Sequence, residues 1–278
     1  MSKLQLERTV LHYTDLAACR SIFMSRTFQL SHYKTVRHDS AEMHAISISR
    51  IHKFYRGNLN DDISRSDIRN LNTILHNTFL TTFGKELYLS CFSRGDTDSC
   101  QMWRKDLTRE VCIVFNRVCF EKHLADHLGN GAVLEHAFYR GVGEQGKRFY
   151  SALFDENIRY STMNSHGENQ LLDLFARRPD LVKDFVMMNL LAKASKHSFE
   201  RESRVILIKP DINKYPRKRS PDSNRIYIEA NNAFCNMCIE KIIIGPGCDQ
   251  DKVAHDMRGI LKDCRLENVQ IIKSRHRV

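Results

Sequence analysis

The sequence predicts an α+β domain, and three observations predict it. Short runs rich in β-branched and aromatic residues recur along the chain, Leu87 to Phe92 and Glu110 to Phe115 being the clearest. Longer stretches with helical spacing of apolar residues and capping residues at their starts lie between them. The two kinds of element are dispersed and follow no strict alternation, which is the α+β manner. With 278 residues the chain fits one domain with peripheral helices.

Thr9 to Tyr13 reads as a strand, and Thr14 or Asp15 then caps a helix carrying Leu16, Cys19, Ile22 and Phe23 on one face. Thr27 to Ser31 reads as a second strand. A helix is expected over Ser40 to Arg56, with Met43, Ile46, Ile51 and Phe54 inward and its end near Gly57, and another over Ile63 to Asn77. The runs at 87–92 and 110–115 are core strands separated by the polar stretch RGDTDSCQ. From Arg117 to Arg178 the order is helix, strand (Val133 to Tyr139), Gly-rich turn and two helices. Pro179-Asp180 opens one more, ending near Ser195. A helical insertion around 117–198 is therefore expected. Later strands fall at 204–208, 226–229, 241–244 and 269–272, with a helix from Asp249 to Asp263 between the last two. The Pro-containing segment KPDINKYPRKRSPDSN is expected to be an exposed loop carrying Lys214, Arg217, Lys218 and Arg219.

Composition narrows the function classes. Hydrophobic residues at 42% and charged residues at 27% exclude a disordered chain. No run of eighteen apolar residues occurs, and the N-terminus lacks the apolar segment of a signal peptide, so no membrane partner and a cytoplasmic location are expected. Nine cysteines, an odd number in a chain poor in Gly and Pro, are expected to be reduced, buried thiols. The net charge of +10 favours polyanions, nucleic acid or a phosphate-rich cofactor among them.

Several patterns carry no chemistry. Cys235-Asn236-Met237-Cys238 is half a zinc motif with no second half at finger spacing, and His32, His38 and His44, six residues apart, share no helical ligand face; no metal is expected. Neither GxSxG nor a Walker loop is present, which argues against a serine hydrolase and a P-loop enzyme. Other residues have chemistry to weigh. If 198–204 is extended, Glu200 and Glu202 project together from the entrance of the strand VILI, where two carboxylates can stabilise a developing cation. The competing reading is a solvated strand end paired with Arg201 and Arg204. His12 is either a cleft-facing ligand or a structural hydrogen-bonder. Ser90 shares a face with Phe92, and Cys91 with Ser93; the hydroxyls either bind a ligand amide or cap the strand. Trp103, the single tryptophan, either stacks on a flat ligand or anchors a loop to the core.

Six segments taken in order, Leu11-His12-Tyr13-Thr14, Arg37 to Glu42 (RHDSAE), Ser90-Cys91-Phe92-Ser93, Met102-Trp103, Phe199 to Arg204 (FERESR) and Ile242-Ile243-Ile244-Gly245-Pro246, make a series. The series resembles a widespread, mostly bacterial family of uncharacterised domains, with an LYHYT-like start, an NDPFE-like segment, a CFS strand, Met or Leu before Trp, an E-x-E-x-R strand and an IIxGP strand. The chain departs from that pattern at His38, Ser40-Ala41 and Asp106, where Asn, Pro-Phe and a nearby Tyr are usual. The family is similar to the ADP-ribosyltransferase superfamily, and the resemblance implies a split mixed-sheet core with peripheral helices.

It further implies that NAD is the substrate, that His12 contacts its ribose or amide, that Ser90 or Ser93 supports the nicotinamide end, and that Tyr13 or Trp103 stacks on it. Glu202 would be the catalytic glutamate, and Glu200 the first carboxylate of the motif, orienting the acceptor. An enzyme of this kind attaches ADP-ribose to a macromolecule. The basic charge points to RNA or other nucleic acid, with the 214–219 cluster as acceptor-binding surface. The nearest functional analogue is a phage-defence toxin that modifies mRNA and is held by a protein antitoxin. NAD hydrolysis at the same site and a non-catalytic nucleic-acid- or partner-binding module are the alternatives.

Overall fold

A computed structural model of the chain describes residues 8–35, 48–59, 63–83, 86–95, 98–103, 108–129, 132–156, 167–193, 195–211, 213–221, 224–231 and 238–276. It is a mixed α and β structure with ten strands and eight α-helices among these residues. The chain divides into two compact units: Met1–His32, Tyr88–His136 and Phe199–Val278 form a sheet unit, and Tyr33–Leu87 with Ala137–Ser198 form a helical one. No helix among the described residues is long and apolar enough to cross a membrane.

In the sheet unit, β1 (Thr9–Thr14) leads into α1 (Leu16–Ser25), whose start is fixed by the Asp15 carboxylate accepting from the Ala18 amide at 2.6 Å. Cys19 and Phe23 form its buried face. β2 (Thr27–His32) follows, then β3 (Leu87–Arg94), β4 (Val111–Asn116), α4 (Arg117–Leu128), β5 (Ala132–His136) and β6 (Glu202–Ile208). The segment expected as a loop contains β7 (Lys218–Arg219), which makes a hairpin with β8 (Ile226–Asn231). The chain then supplies β9 (Ile239–Ile244), α8 (Gln250–Asp263) capped by Asp249, and β10 (Gln270–Lys273), parallel to β9.

The sheet runs β10-β9-β4-β1-β3-β2-β8-β7, with β6 pairing both β3 and β5. β3 changes partners along its length. Its start pairs antiparallel with β2 (Ser31 opposite Leu89, His32 opposite Tyr88), and its end pairs with β1 (Val10 opposite Arg94, Leu11 opposite Ser93). β3 therefore stands between β1 and β2 in the sheet order, with Ser90, Cys91 and Phe92 between its two paired ends.

Alternation along the strands gives two distinct faces. The first buries Val10, Phe28, Phe92, Phe115, Val205 and Leu207 under α1, α4 and α8. The second buries Leu11, Trp103, Cys112, Val114 and Ile243. Trp103 explains why a glycine follows the β9 run: a Cβ on Gly245 would lie 2.6 Å from the indole ring. Gly245→Ala should therefore lower stability by about 1–3 kcal/mol, the usual cost of overpacking. Chemical denaturation measures this, and an unchanged midpoint would refute the close packing.

The helical unit contains α2 (Ile48–Phe54), α3 (Arg65–Thr78, capped by Ser64), α5 (Gly143–Asp155), α6 (Gly167–Arg177) and α7 (Pro179–Leu191). α2 carries Ile51 and Phe54 inward as its periodicity requires and passes into a π-turn at Tyr55–Leu59; residues 40–47 of the expected helix lie outside the described residues. Phe79, Phe83, Phe149, Phe175 and Phe185 pack together at its centre, with Phe175 and Phe185 at 5.1 Å.

Candidate active site

His12 belongs to the first face. Its ring lies 5.6 Å from Phe28 and 5.2 Å from Phe92, and a hydrogen bond to the Cys91 backbone ties it to β3. Burial, assisted by the Arg109 charge and opposed by the Cys91 bond, lowers its pKa to about 4. The imidazole is thus neutral at pH 7. Its Nδ1 is enclosed and has no hydrogen-bond partner among the described residues.

A second histidine, which the sequence did not single out, shares this property. His136 on β5 contacts Ser203 Oγ through Nδ1 at 2.7 Å and Arg117 Nη1 through Nε2 at 3.1 Å. A guanidinium only donates, so Nε2 accepts, and Nδ1 carries the proton and donates to Ser203. The serine is therefore an acceptor from this imidazole, which does not act on it as a base. Burial and then the charges of Arg94 and Arg117 lower the His136 pKa to about 4.

Both histidines titrate lower in the folded chain than the unperturbed 6.5. As pH falls from about 6.5 towards 4, the unfolded chain binds protons that the folded chain refuses, so their contribution to stability is full above 6.5 and lost across that window. Imidazole carbon shifts should show two histidines still neutral at pH 5.5. Titration of both near 6.5 would contradict the buried environments.

The second face holds most of the remaining candidates. Tyr13 stands edge-on to Trp103 at 4.8 Å, its hydroxyl accepts from the Ser99 amide at 3.1 Å, and burial raises its pKa. Trp103 is buried and donates Nε1–H to Asp98 at 2.9 Å. Arg109 lies over the Tyr13 ring at 5.9 Å and donates to the Met102 carbonyl at 3.3 Å. Ser93 is buried beside Met102, with Oγ 4.0 Å from the thioether sulfur.

Glu202 opens β6 on the same second face as Ser93, since Phe92, Val205 and Leu207 all point to the first. The Arg94 amide donates to the Arg201 carbonyl at 3.0 Å, which sets the start of β6 beside the end of β3. Glu202 is 3% exposed, and its Oε1 accepts from Nε of Arg204, which is fully buried. This is an enclosed ion pair, and the solvated strand end weighed from the sequence is corrected here. The paired projection of Glu200 and Glu202 is also corrected. Ser195–Glu200 is a 3-10 turn, and Arg201 adopts a left-handed φ of 43°, so alternation starts only at Glu202.

The predicted residues thus separate: His12 and Ser90 lie on the first face, Tyr13, Ser93, Trp103 and Glu202 on the second. Ser90 lines an apolar cavity with Phe28, Phe92, Phe120 and Val205 that has a volume of about 10 Å³, room for no more than a water molecule. That cavity offers no charge for a pyrophosphate and is far smaller than the usual pocket for a molecule of dinucleotide size. The acceptor cluster is exposed, but Lys214 donates to the His127 carbonyl at 3.0 Å and Lys218 pairs with Glu229, which raises its pKa. His38, Ser40, Ala41 and Asp106 lie outside the described residues.

The cysteines depart from expectation. Cys100 is exposed, Cys91 and Cys248 are half-buried, and Cys119 and Cys238 are joined by a disulfide with Cα atoms 5.4 Å apart. His123 Nδ1 stands 3.7 Å from Cys119 Sγ and 3.6 Å from Cys238 Sγ. Cys235, Asn236 and Met237 lie outside the described residues. Searches against family models, curated proteins and solved structures return no match.

Proposed function

We propose that the chain is an ADP-ribosyltransferase-like enzyme acting on NAD, with Glu202 as the carboxylate that stabilises the reacting ribose. The observation that carries this reading is the sharing of one face by Ser93 and Glu202 where β3 crosses from β2 to β1. The change of β3 partner from β2 at its start to β1 at its end supports the superfamily likeness carried by the six sequence segments.

The chemistry suits these groups. Cleavage of the bond between nicotinamide and ribose C1′ sends the electron pair to the leaving nicotinamide and leaves oxocarbenium character on the sugar. A carboxylate held near that carbon lowers the barrier because its charge is fixed before the reaction begins. Arg204 supplies the fixing: its buried guanidinium holds Glu202 in one position. An acceptor nucleophile then bonds to C1′ and loses its proton. In this reading His12 contributes a neutral ring whose enclosed Nδ1 would have to be uncovered for a ligand hydroxyl or amide to reach it. Trp103 supports Tyr13 from the core, and Glu200, outside the strand, is left to the acceptor side.

The acceptor in this proposal is RNA or another nucleic acid, drawn by the +10 charge, and a defence-toxin role with a protein antitoxin belongs to the same reading. Replacing Lys214, Arg217, Lys218 and Arg219 by Gln should flatten the salt dependence of RNA affinity. Lys214 and Lys218 have local partners, so the expected loss in the log-log slope is less than the four phosphate contacts that the four charges would give. Parallel slopes for wild type and variant would remove the cluster from acceptor binding. The activity itself is tested with NAD labelled in its adenylate portion, offered together with total RNA, DNA and protein.

A further inference from the structure

We propose that Cys119, His123 and Cys238, in the reduced chain, form a binding site for a soft divalent transition metal, zinc foremost. Cys119 and His123 are four residues apart on α4 and so lie on one face of the helix, while Cys238 approaches from the residue preceding β9. The three donor atoms lie within 4.8 Å of one another.

The spacing fits the metal. Zinc bonds of about 2.3 Å to thiolate and about 2.0–2.1 Å to imidazole, at tetrahedral angles, put sulfur and nitrogen about 3.5 Å apart. His123 Nδ1 stands 3.7 and 3.6 Å from the two sulfurs. Both sulfurs therefore already sit on the ligand edges that a tetrahedron drawn from His123 requires. The sulfurs separate to about 3.8 Å and His123 Nδ1 gives up the Cys119 carbonyl, 3.0 Å away, for the metal; side-chain rotation provides both once the disulfide is reduced. Reduction by a phosphine or thiol supplies the two electrons, and the two thiols release two protons on binding the ion. Disulfide and metal are thus alternative occupants of one site.

The chemistry of the donors selects the ion. Two thiolates and an imidazole suit zinc or cobalt and disfavour magnesium and calcium, which take oxygen. Cys119 and His123 are half-buried, which leaves the fourth position open to water. Cys235 precedes Cys238 at metal-motif spacing but lies outside the described residues, and the three donors named form the site. The site also pins α4 beside the aromatic cluster of His12, since Phe120 follows Cys119 and packs on Phe92 at 5.1 Å.

The test uses untagged full-length chain, reduced with a phosphine, supplied with zinc and passed through a desalting column. The expected content is about one zinc per chain, falling to background in Cys119→Ser/Cys238→Ser and in His123→Gln. Because these variants could fold poorly, the wild type is also titrated with cobalt. Reduced protein should show tetrahedral cobalt bands and thiolate charge transfer that vanish on oxidation with glutathione disulfide. Reduced wild type that retains no zinc and shows no such bands would overturn the proposal, as would full zinc retention by folded variants of all three residues.

Discussion

Glu202→Gln is expected to lose both activity and stability, and the two losses can be separated. Removing a charge placed for the transition state commonly costs about 100-fold to 1000-fold in rate. Because Glu202 and Arg204 are an enclosed pair, the same change leaves a buried guanidinium without its counter-charge, which typically costs about 3–5 kcal/mol. Loss of NAD turnover by the single variant therefore proves little. The double variant Glu202→Gln/Arg204→Met removes both charges and should regain most of the melting temperature while remaining inactive. Recovery of turnover with stability would show that Glu202 serves the fold and has no part in the chemistry.

Trp103→Ala should be about as costly to the fold, at about 3–5 kcal/mol, the range for deleting a buried aromatic ring. The indole fills the space between Tyr13 and Gly245, and its Nε1–H is held by Asp98. Trp103→Phe should lose less, chiefly the hydrogen bond to Asp98, worth about 1.5–3 kcal/mol for a charged acceptor. Denaturant unfolding beside NAD affinity distinguishes the two roles weighed for this residue. Weakened NAD binding at unchanged stability in Trp103→Phe would make it a ligand-stacking group and would contradict the anchoring described here.

Much of the sheet unit was legible in the sequence because its strands and helices obey local rules. β1, α1 and α8 appear where apolar spacing and the Asp15 and Asp249 caps place them. The alternation of Ser90 and Phe92 against Cys91 and Ser93 is also as read, because β3 is regular throughout. What escaped the sequence depends on local exceptions or long-range contact. Nothing marks Arg201 for a left-handed conformation as a glycine would, so the stretch before Glu202 reads as extended in the sequence. Arginine is seldom buried, and the burial of Arg204 follows only from its enclosed partner. β7 is two charged residues long and carries no strand pattern. The cysteine and histidine trio joins positions more than a hundred residues apart; its signals, a Cys and His four apart and a later CxxC, are visible only when sought outside finger spacing.

The division of candidates between two faces bears on how the site works. Ser93 and Glu202 share the second face, whereas His12 belongs to the first and is tied to β3 by its bond to the Cys91 backbone.

The most direct measurement offers the wild-type chain NAD labelled on the adenylate phosphate with total RNA, DNA and protein, followed by separation of free from macromolecular label. The account predicts label on a macromolecule, with RNA carrying most of it, and none when Glu202→Gln/Arg204→Met replaces the wild type. Release of free ADP-ribose alone would keep the site and replace the transferase by a hydrolase; intact NAD after prolonged incubation with every acceptor would contradict the account.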